Sequence, residues 1–146
     1  MDFADAVVLA ARVYGASRDR SGGLNLAHAV NVAQALGRSA TPISLNAAVL
    51  HDVPEDTGCA IEDLASWGVD PVVCEVVDVL TRRSGETYMD YVRRICDAPG
   101  VAGETARLVK CADLTVSVDR ADSDALRERY EQSLPLVQRA LATAVR

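Results

Sequence analysis

The sequence predicts an all-α fold, a compact helical bundle of seven or eight helices formed as a single domain by residues 1–146. Apolar residues recur with helical spacing along nearly the whole chain, and no segment alternates apolar and polar residues as a half-buried strand would. Glycine, proline and capping residues separate these stretches at intervals typical of helices. A chain of 146 residues is long enough to bury a hydrophobic core.

Local signals define most of the individual helices. Asn25 is a suitable N-cap for the second helix, and Gly37 is a typical C-terminal signal. Thr41 and Pro42 are a capping residue followed by proline at the first helical position. Pro135 should kink the last helix or split it in two. In chain order, the predicted helices span 2–14, 25–37, 41–52, 61–66, 70–81, 87–97, 104–119 and 122–145.

The third predicted helix ends with two potential metal ligands, His51 and Asp52. Val53 precedes Pro54, and the residue before a proline is pushed out of the helical region. His51 and Asp52 should therefore lie at a helix C-terminus, whose partial negative charge favours a nearby cation by a few tenths to ~1 kcal/mol. Adjacent residues on a helix point about 100° apart, so the two side chains can share an ion only over the flank between them.

Composition and charge exclude several classes of function. Apolar residues make up 49% and charged residues 25% of the chain, and no apolar run approaches the ~20 residues that span a bilayer. Asp2 and Asp5 stand where an export signal needs positive charge, so we expect a cytoplasmic protein without a membrane partner. A net charge of −6 disfavours binding to nucleic-acid polymers. No Cys-x-x-Cys pair occurs, and we expect four reduced thiols, Cys59, Cys74, Cys96 and Cys111.

The most informative motif is the run His-Asp-Val-Pro-Glu-Asp-Thr at 51–57. The chain has two histidines, and this run places one of them beside a carboxylate, with Glu55 and Asp56 close behind. These are the groups needed to activate water on a divalent metal and to accept its proton. His28 and Asp113 would complete a set of four ligands. The pattern indicates a metal-dependent hydrolase.

Each of these residues also has a simpler interpretation. Asp113 could lie exposed on a polar stripe with Lys110 and Ser117, which share its helix face. If Asp113 is buried instead, it needs a partner, because an unpaired buried charge is costly. His28 could be a half-buried residue bonded to a backbone carbonyl, and the Glu-Asp pair at 55–56 could be a solvated turn after the proline.

Three segments in order resemble the HD-domain superfamily of metal-dependent phosphohydrolases. They are His-Ala-Val-Asn-Val-Ala at 28–33, the run at 51–57, and Val-Lys-Cys-Ala-Asp-Leu at 109–114. Within that superfamily the chain is most similar to the hydrolase domain of RelA/SpoT-type alarmone enzymes and to small alarmone hydrolases. The segment 80–91, which contains Arg82 and Tyr88, resembles short single-domain bacterial HD proteins. The resemblance implies an HD-type helical bundle and covers roughly residues 5 to 120.

The resemblance also implies roles for individual residues. It implies one divalent metal, most often Mn²⁺, held by four ligands, and a pair of carboxylates, Glu55 and Asp56, that position water and transfer protons. The implied ligands are His28, His51, Asp52 and Asp113. A mixed nitrogen and carboxylate set suits Mn²⁺, Fe²⁺, Zn²⁺ and Co²⁺, with Mg²⁺ a further candidate.

The loop before the second helix departs from the alarmone hydrolases. Those proteins usually carry Arg-Lys-x-Gly-x-Pro-Tyr there, whereas this chain has Asp19, Arg20 and Ser21 at the corresponding positions, with Leu-Asn for Pro-Tyr. Loss of a guanidinium that can stack on a base weakens the case for guanine. Ser117 stands where asparagine is usual and has fewer hydrogen-bonding groups. We therefore expect substrate contacts from Arg20, Ser21, Tyr88 and Ser117.

Three functions remain open on the sequence. The leading hypothesis is a 3′-pyrophosphohydrolase of (p)ppGpp-type alarmones, acting on an anionic nucleotide. The second is an HD-type nucleotidase that releases orthophosphate from nucleoside or deoxynucleoside monophosphates. The third is a metal- and nucleotide-binding protein that has lost turnover, which the altered loop motivates and the retained carboxylate pair argues against. A homo-oligomer is compatible with each of them.

Overall fold

The computed structural model describes residues 1–144 and confirms the predicted all-α fold. Within this range there are nine α-helices and one short 3-10 helix, Gly37–Ser39. Arg18 and Leu24 form an isolated antiparallel β-bridge, and the described residues contain no β-strand. In order, the α-helices are α1 Phe3–Tyr14, α2 Asn25–Ala35, α3 Pro42–Leu50, α4 Val53–Thr57, α5 Ile61–Ser66, α6 Pro71–Leu80, α7 Tyr88–Asp97, α8 Gly100–Arg120 and α9 Asp124–Ala144.

The helix α4 is the main departure from the predicted elements. The sequence placed Glu55 and Asp56 outside a helix, after a break at Pro54, and this was wrong. α3 ends at its cap His51, Asp52 leaves helical geometry at φ −96° and ψ 0°, and a new helix begins at Val53. Pro54 lies in the first turn of α4, where a missing N–H costs no hydrogen bond. The proline therefore starts a helix here as well as ending one.

Two helix starts differ from the predictions in smaller ways. Asn25 is the first residue of α2, not its cap, and its side-chain amide donates to Ser17 Oγ at 3.1 Å. α8 begins at Gly100, four residues earlier than predicted. α9 continues through Pro135 without being split, and the predicted end at 145 lies outside the described residues. The cap at Thr41 is confirmed, since Thr41 Oγ1 accepts from the backbone N–H of Ser44.

The two most central helices are α3 and α8. α8 packs against α2, α3, α6, α7 and α9, and the residues of α3 from Asn46 to Leu50 are all buried. The core consists mainly of alanine, valine and leucine, whose burial contributes about 1.5–3 kcal/mol for each larger side chain. Because α3 runs through this core, the residue that follows it, His51, is 2% exposed.

A close approach fixes the start of α8 against the end of α7. A Cβ added at Gly103 would lie 1.9 Å from the backbone oxygen of Ala98, so only glycine fits there. One turn later, Arg107 Nη1 donates to the carbonyls of Ile95, Cys96 and Ala98 at 3.2, 3.2 and 2.7 Å. These bonds satisfy carbonyls that the end of a helix leaves without partners. They also hold in place the helix that carries Asp113.

Candidate metal centre and cleft

Three side chains from three helices meet on one side of α3. His28 comes from α2, His51 caps α3, and Asp113 comes from α8; each offers a ligand atom, and these atoms lie within 4.8 Å of one another. Asp113 Oδ1 lies 2.9 Å from His28 Nε2 and 3.7 Å from His51 Nε2. Residues that are far apart in sequence thus form a group that could hold a metal ion.

Asp52, the fourth predicted ligand, lies beside this group. Its Oδ2 is 3.2 Å from His51 Nε2 and 3.9 Å from His28 Nε2. Adjacent side chains on a regular helix would diverge, but Asp52 has left helical geometry for the region near φ −90° and ψ 0°, which is common in active sites. The break between α3 and α4 therefore lets the His-Asp doublet converge.

The tautomer of His51 suits a metal ligand. Its Nδ1 lies 2.6 Å from the backbone oxygen of Ala48, and a carbonyl can only accept, so Nδ1–H is the donor. The lone pair of the neutral ring is then on Nε2, which is buried and has no hydrogen-bond partner among residues 1–144. Metal-binding histidines commonly have the second ring nitrogen oriented in this way. His28 differs, because its buried Nδ1 lacks a described partner.

Lys110, which was not among the predicted site residues, holds Asp113 from the opposite side. Its Nζ lies 2.9 Å from Asp113 Oδ2 and 4.9 Å from the centre of the Tyr91 ring. Ser117 Oγ lies 3.3 Å from Asp113 Oδ1. Burial alone would raise the pKa of Asp113, but the Lys110 cation and the hydrogen bond from His28 outweigh it and hold that pKa well below its usual value. Asp113 is 7% exposed, so it does not lie on a solvated stripe.

The carboxylates of α4 lie next to this group, at the edge of a cleft. Glu55 Oε1 accepts the backbone N–H of Arg82 at 2.7 Å. Burial and the neighbouring charge of Asp52 raise the pKa of Glu55 above its ordinary value, against the effect of the Arg82 N–H. Burial, then the charges of Asp52 and Glu55, raise the pKa of Asp56 to about 6. A carboxyl group with a pKa near neutrality is suited to proton transfer.

The cleft above the candidate metal ligands has a volume of about 410 Å³, within the range of small-molecule sites. All four predicted substrate-binding residues line it: Arg20, Ser21, Tyr88 and Ser117. The hydroxyl of Ser21 donates to Asp19 at 2.6 Å. The fold thus brings this loop, where substrate contacts were predicted, to the same cleft as the candidate metal ligands.

One wall of the cleft comes from α9, a helix in which the sequence predicted no site residue. Leu126, Arg129 and Tyr130 line the cleft, and Arg129 Cζ lies 4.6 Å from the centre of the Tyr88 ring. Arg82 Cζ lies 6.0 Å from the same ring. The run Arg-Glu-Arg-Tyr at 127–130, a tyrosine among charges, was the available signal. Helical spacing alone does not tell which charged face meets another element.

Similarity to a solved structure supports this fold. The chain superposes on a metazoan ortholog of SpoT, a protein that hydrolyzes ppGpp and plays a role in starvation responses, with a TM-score of 0.73 and 23% sequence identity. The match covers 95% of this chain and 84% of the other. The two chains share a fold. No protein-family model and no curated protein sequence matches the chain. Within residues 1–144, no helix has both the length and the apolar character to cross a membrane.

Proposed function

We propose that residues 1–146 form one HD-type phosphohydrolase domain, a metal-dependent enzyme that removes the 3′-pyrophosphate of a (p)ppGpp-type nucleotide. The convergence of His28, His51, Asp52 and Asp113 beneath a cleft edged by two further carboxylates carries this proposal. The fold shared with a protein that hydrolyzes ppGpp favours an alarmone over other nucleotides.

The ligand set supports one divalent cation, and we propose Mn²⁺. Two imidazole nitrogens and two carboxylates are a mixed set that suits a borderline or hard ion. When bound, such an ion polarises the phosphoryl oxygen and makes water a better nucleophile at neutral pH. His51 would offer Nε2, because its Nδ1–H is committed to Ala48. Asp113 would offer Oδ1, because its Oδ2 is paired with Lys110.

Glu55 and Asp56 are the proposed catalytic carboxylates. Glu55 is held by the backbone N–H of Arg82, so one of its oxygens is fixed and the other is free to orient water. Asp56 has a pKa of about 6 and can take up and release a proton near neutrality. The pair would therefore place the attacking water and carry its proton away.

Basic and aromatic residues around the cleft support an anionic nucleotide as the substrate. Arg20 lies on one wall, and Arg82 and Arg129 flank Tyr88 on another. Guanidinium groups are well suited to phosphate, and a tyrosine ring offers a face for a base. These local cations would bind phosphates although the whole chain carries a net charge of −6.

The decisive experiment is product analysis with Mn²⁺-loaded protein. Incubation with ppGpp should release pyrophosphate and GDP, and Glu55→Gln should release both about 10²–10⁴-fold more slowly. Orthophosphate from nucleoside or deoxynucleoside monophosphates, without pyrophosphate from ppGpp, would establish a nucleotidase instead. Tight binding of nucleotides without any turnover would establish a binding protein.

We also propose a cytoplasmic location. The four cysteines are free thiols, at Cys59, Cys74, Cys96 and Cys111, and a reducing compartment keeps such thiols reduced. Localisation of the tagged protein by fractionation would test this.

A further inference from the structure

Asp19 lies at the cleft, and both of its carboxylate oxygens have partners within the protein. Its Oδ1 accepts from the backbone N–H and the hydroxyl of Ser21, at 2.9 and 2.6 Å, and from the backbone N–H of Gly23 at 3.0 Å. Its Oδ2 pairs with the guanidinium of Arg120, the last residue of α8. Burial opposes ionisation of Asp19, but these hydrogen bonds and the Arg120 cation lower its pKa. We call the Asp19–Arg120 pair, with the bonds to Ser21 and Gly23, the clasp.

Gly23 allows the guanidinium to reach Asp19. A Cβ added at Gly23 would lie 2.7 Å from Arg120 Nη2, too close for contact, and 3.5 Å from Asp19 Oδ2. Gly23 is not among the glycines with positive φ, so alanine can adopt its backbone conformation. The atom in the way is the far end of a flexible side chain, which can move. The substitution Gly23→Ala should therefore displace Arg120 without unfolding the chain.

The clasp joins the two segments that bring His28 and Asp113 to the centre. The loop of residues 15–23 leads directly into α2, and Arg120 follows Asp113 by two turns of α8. Arg18, in the same loop, donates to the carbonyl of Gly22 at 2.6 Å, so it does not replace the missing arginine as a cleft cation. Arg20 is then the loop's cation at the cleft.

We propose that Asp19 is a positioning residue: the clasp neutralises Arg120 and fixes the loop so that Arg20 presents its guanidinium to a phosphate of the substrate. Although Asp19 lines the cleft, both of its oxygens are occupied by the clasp, so it acts through Arg20 and not by contact with the substrate. The proposal rests on the proposed function for the identity of the ligand, though not for the geometry of the clasp. It explains how an acidic residue is tolerated at a position where the alarmone hydrolases that this chain resembles carry arginine.

Steady-state kinetics of three variants test whether loss of the clasp raises or lowers KM for ppGpp. Asp19→Asn keeps an oxygen acceptor but removes the charge, and Gly23→Ala keeps the charge but displaces Arg120. Both should raise KM for ppGpp roughly tenfold with kcat within about twofold, as expected for loss of ground-state binding. Asp90→Asn, at an exposed ion pair outside the cleft, is the matched control and should change neither constant. If Asp19 faced the substrate, it would repel phosphate and Asp19→Asn would lower KM; that result, or an unchanged KM, overturns the proposal.

A double substitution separates the clasp from direct binding by Arg120. If Arg120 acts through Asp19, the effects of Asp19→Asn and Arg120→Met on KM should not add, and the double variant should match the stronger single one. Additive effects would mean that Arg120 binds substrate independently, and the clasp would not be its role.

Amide exchange tests the clasp without any substrate. In Asp19→Ala, the amides of Ser21 and Gly23 should exchange at least about tenfold faster than in the wild type, because they lose their acceptor. Unchanged exchange overturns the proposal.

Calorimetric titration with inorganic pyrophosphate separates a failure of the proposed alarmone substrate from a failure of the clasp. If the wild type binds pyrophosphate but not ppGpp, the alarmone assignment fails, and weaker binding of pyrophosphate by Asp19→Asn still supports the clasp. If the wild type binds neither, both inferences fail.

Discussion

Lys110 Nζ lies 2.9 Å from Asp113 Oδ2 in the interior of the protein, and the two side chains are 8% and 10% exposed. The pair is three residues apart on α8, so the geometry of one helix brings the ammonium to the carboxylate. It also leaves Asp113 Oδ1 directed at the two histidines. A buried ion pair of this kind makes the metal-free centre sensitive to the loss of either partner.

Removal of the lysine should destabilise the metal-free protein. Lys110→Met leaves a buried carboxylate without its cation, which costs about 3 kcal/mol of unfolding free energy. Urea denaturation followed by circular dichroism measures this cost, and added Mn²⁺ should recover part of it. Arg93→Met is the matched control, because Arg93 and Asp90 have the same i, i+3 spacing but are 70% and 58% exposed. An equal effect of both substitutions would refute a special role for burial.

Substitutions should distinguish metal binding by Asp52 from catalysis by Glu55 within the run at 51–57. Asp52→Ala should lower the bound Mn²⁺ measured by elemental analysis, because its carboxylate lies 3.2 Å from His51 Nε2. Glu55→Gln should retain the metal and reduce pyrophosphate release by about 10²–10⁴-fold, the usual contribution of a general base. Asp63→Ala, on an exposed helix end, serves as the control for both measurements. Loss of metal from Glu55→Gln would show that Glu55 is a ligand.

The raised pKa of Asp56 predicts a stability cost at neutral pH. The folded pKa is about 6, above the ordinary value of about 3.9 for an unfolded aspartate. The favourable contribution of this group is therefore present below about pH 4 and is lost as the pH rises through about 6. Asp56→Asn should accordingly make the metal-free protein more stable at pH 7.5 and close to wild type at pH 4. Urea denaturation at the two pH values tests this, and a lower stability of the variant at pH 7.5 would contradict it.

Glu86 should show the opposite dependence on pH. Its Oε2 lies 2.8 Å from Arg94 Nε, and this hydrogen bond lowers the pKa of Glu86 to about 2. The stabilisation is present above the unfolded value of about 4.3 and is lost as the pH falls through about 2. Glu86→Gln should cost about 2 kcal/mol at pH 7, as for a hydrogen bond between charged groups, and nothing below about pH 2. Asp78→Asn, at the half-exposed pair with Arg83, should have little effect under the same denaturation assay.

Local signals were sufficient for most of the fold. The cap at Thr41 and the proline after it set the start of α3 whatever the surroundings, because they act within one turn. The prediction at Pro54 was wrong because a local signal of this kind has two possible outcomes. A proline prevents the preceding turn from continuing, but it also fits the first turn of a new helix, and sequence does not distinguish the two outcomes.

The residues of the candidate site that belong to uncommon sequence patterns could be predicted. Those that reach the site only through the packing of helices were missed. Two histidines and a His-Asp doublet are uncommon enough to be noticed, and the fold brings them to one place with Asp113. Lys110 was placed on the correct helix face, but its burial depends on five neighbouring helices. Arg129 reaches the cleft only because α9 folds back along α7 and α8, and no pattern within α9 specifies that contact.

Lys110 is the only lysine in the chain, and it is buried. An amine-directed reagent therefore has one lysine to modify, and that lysine lies in the candidate site and not on the surface. Acylation of Lys110, read by mass spectrometry after digestion, would report how often the cleft opens to solvent. The surface can be coupled through arginine or cysteine chemistry, but reagents directed at lysine will act as probes of the centre itself.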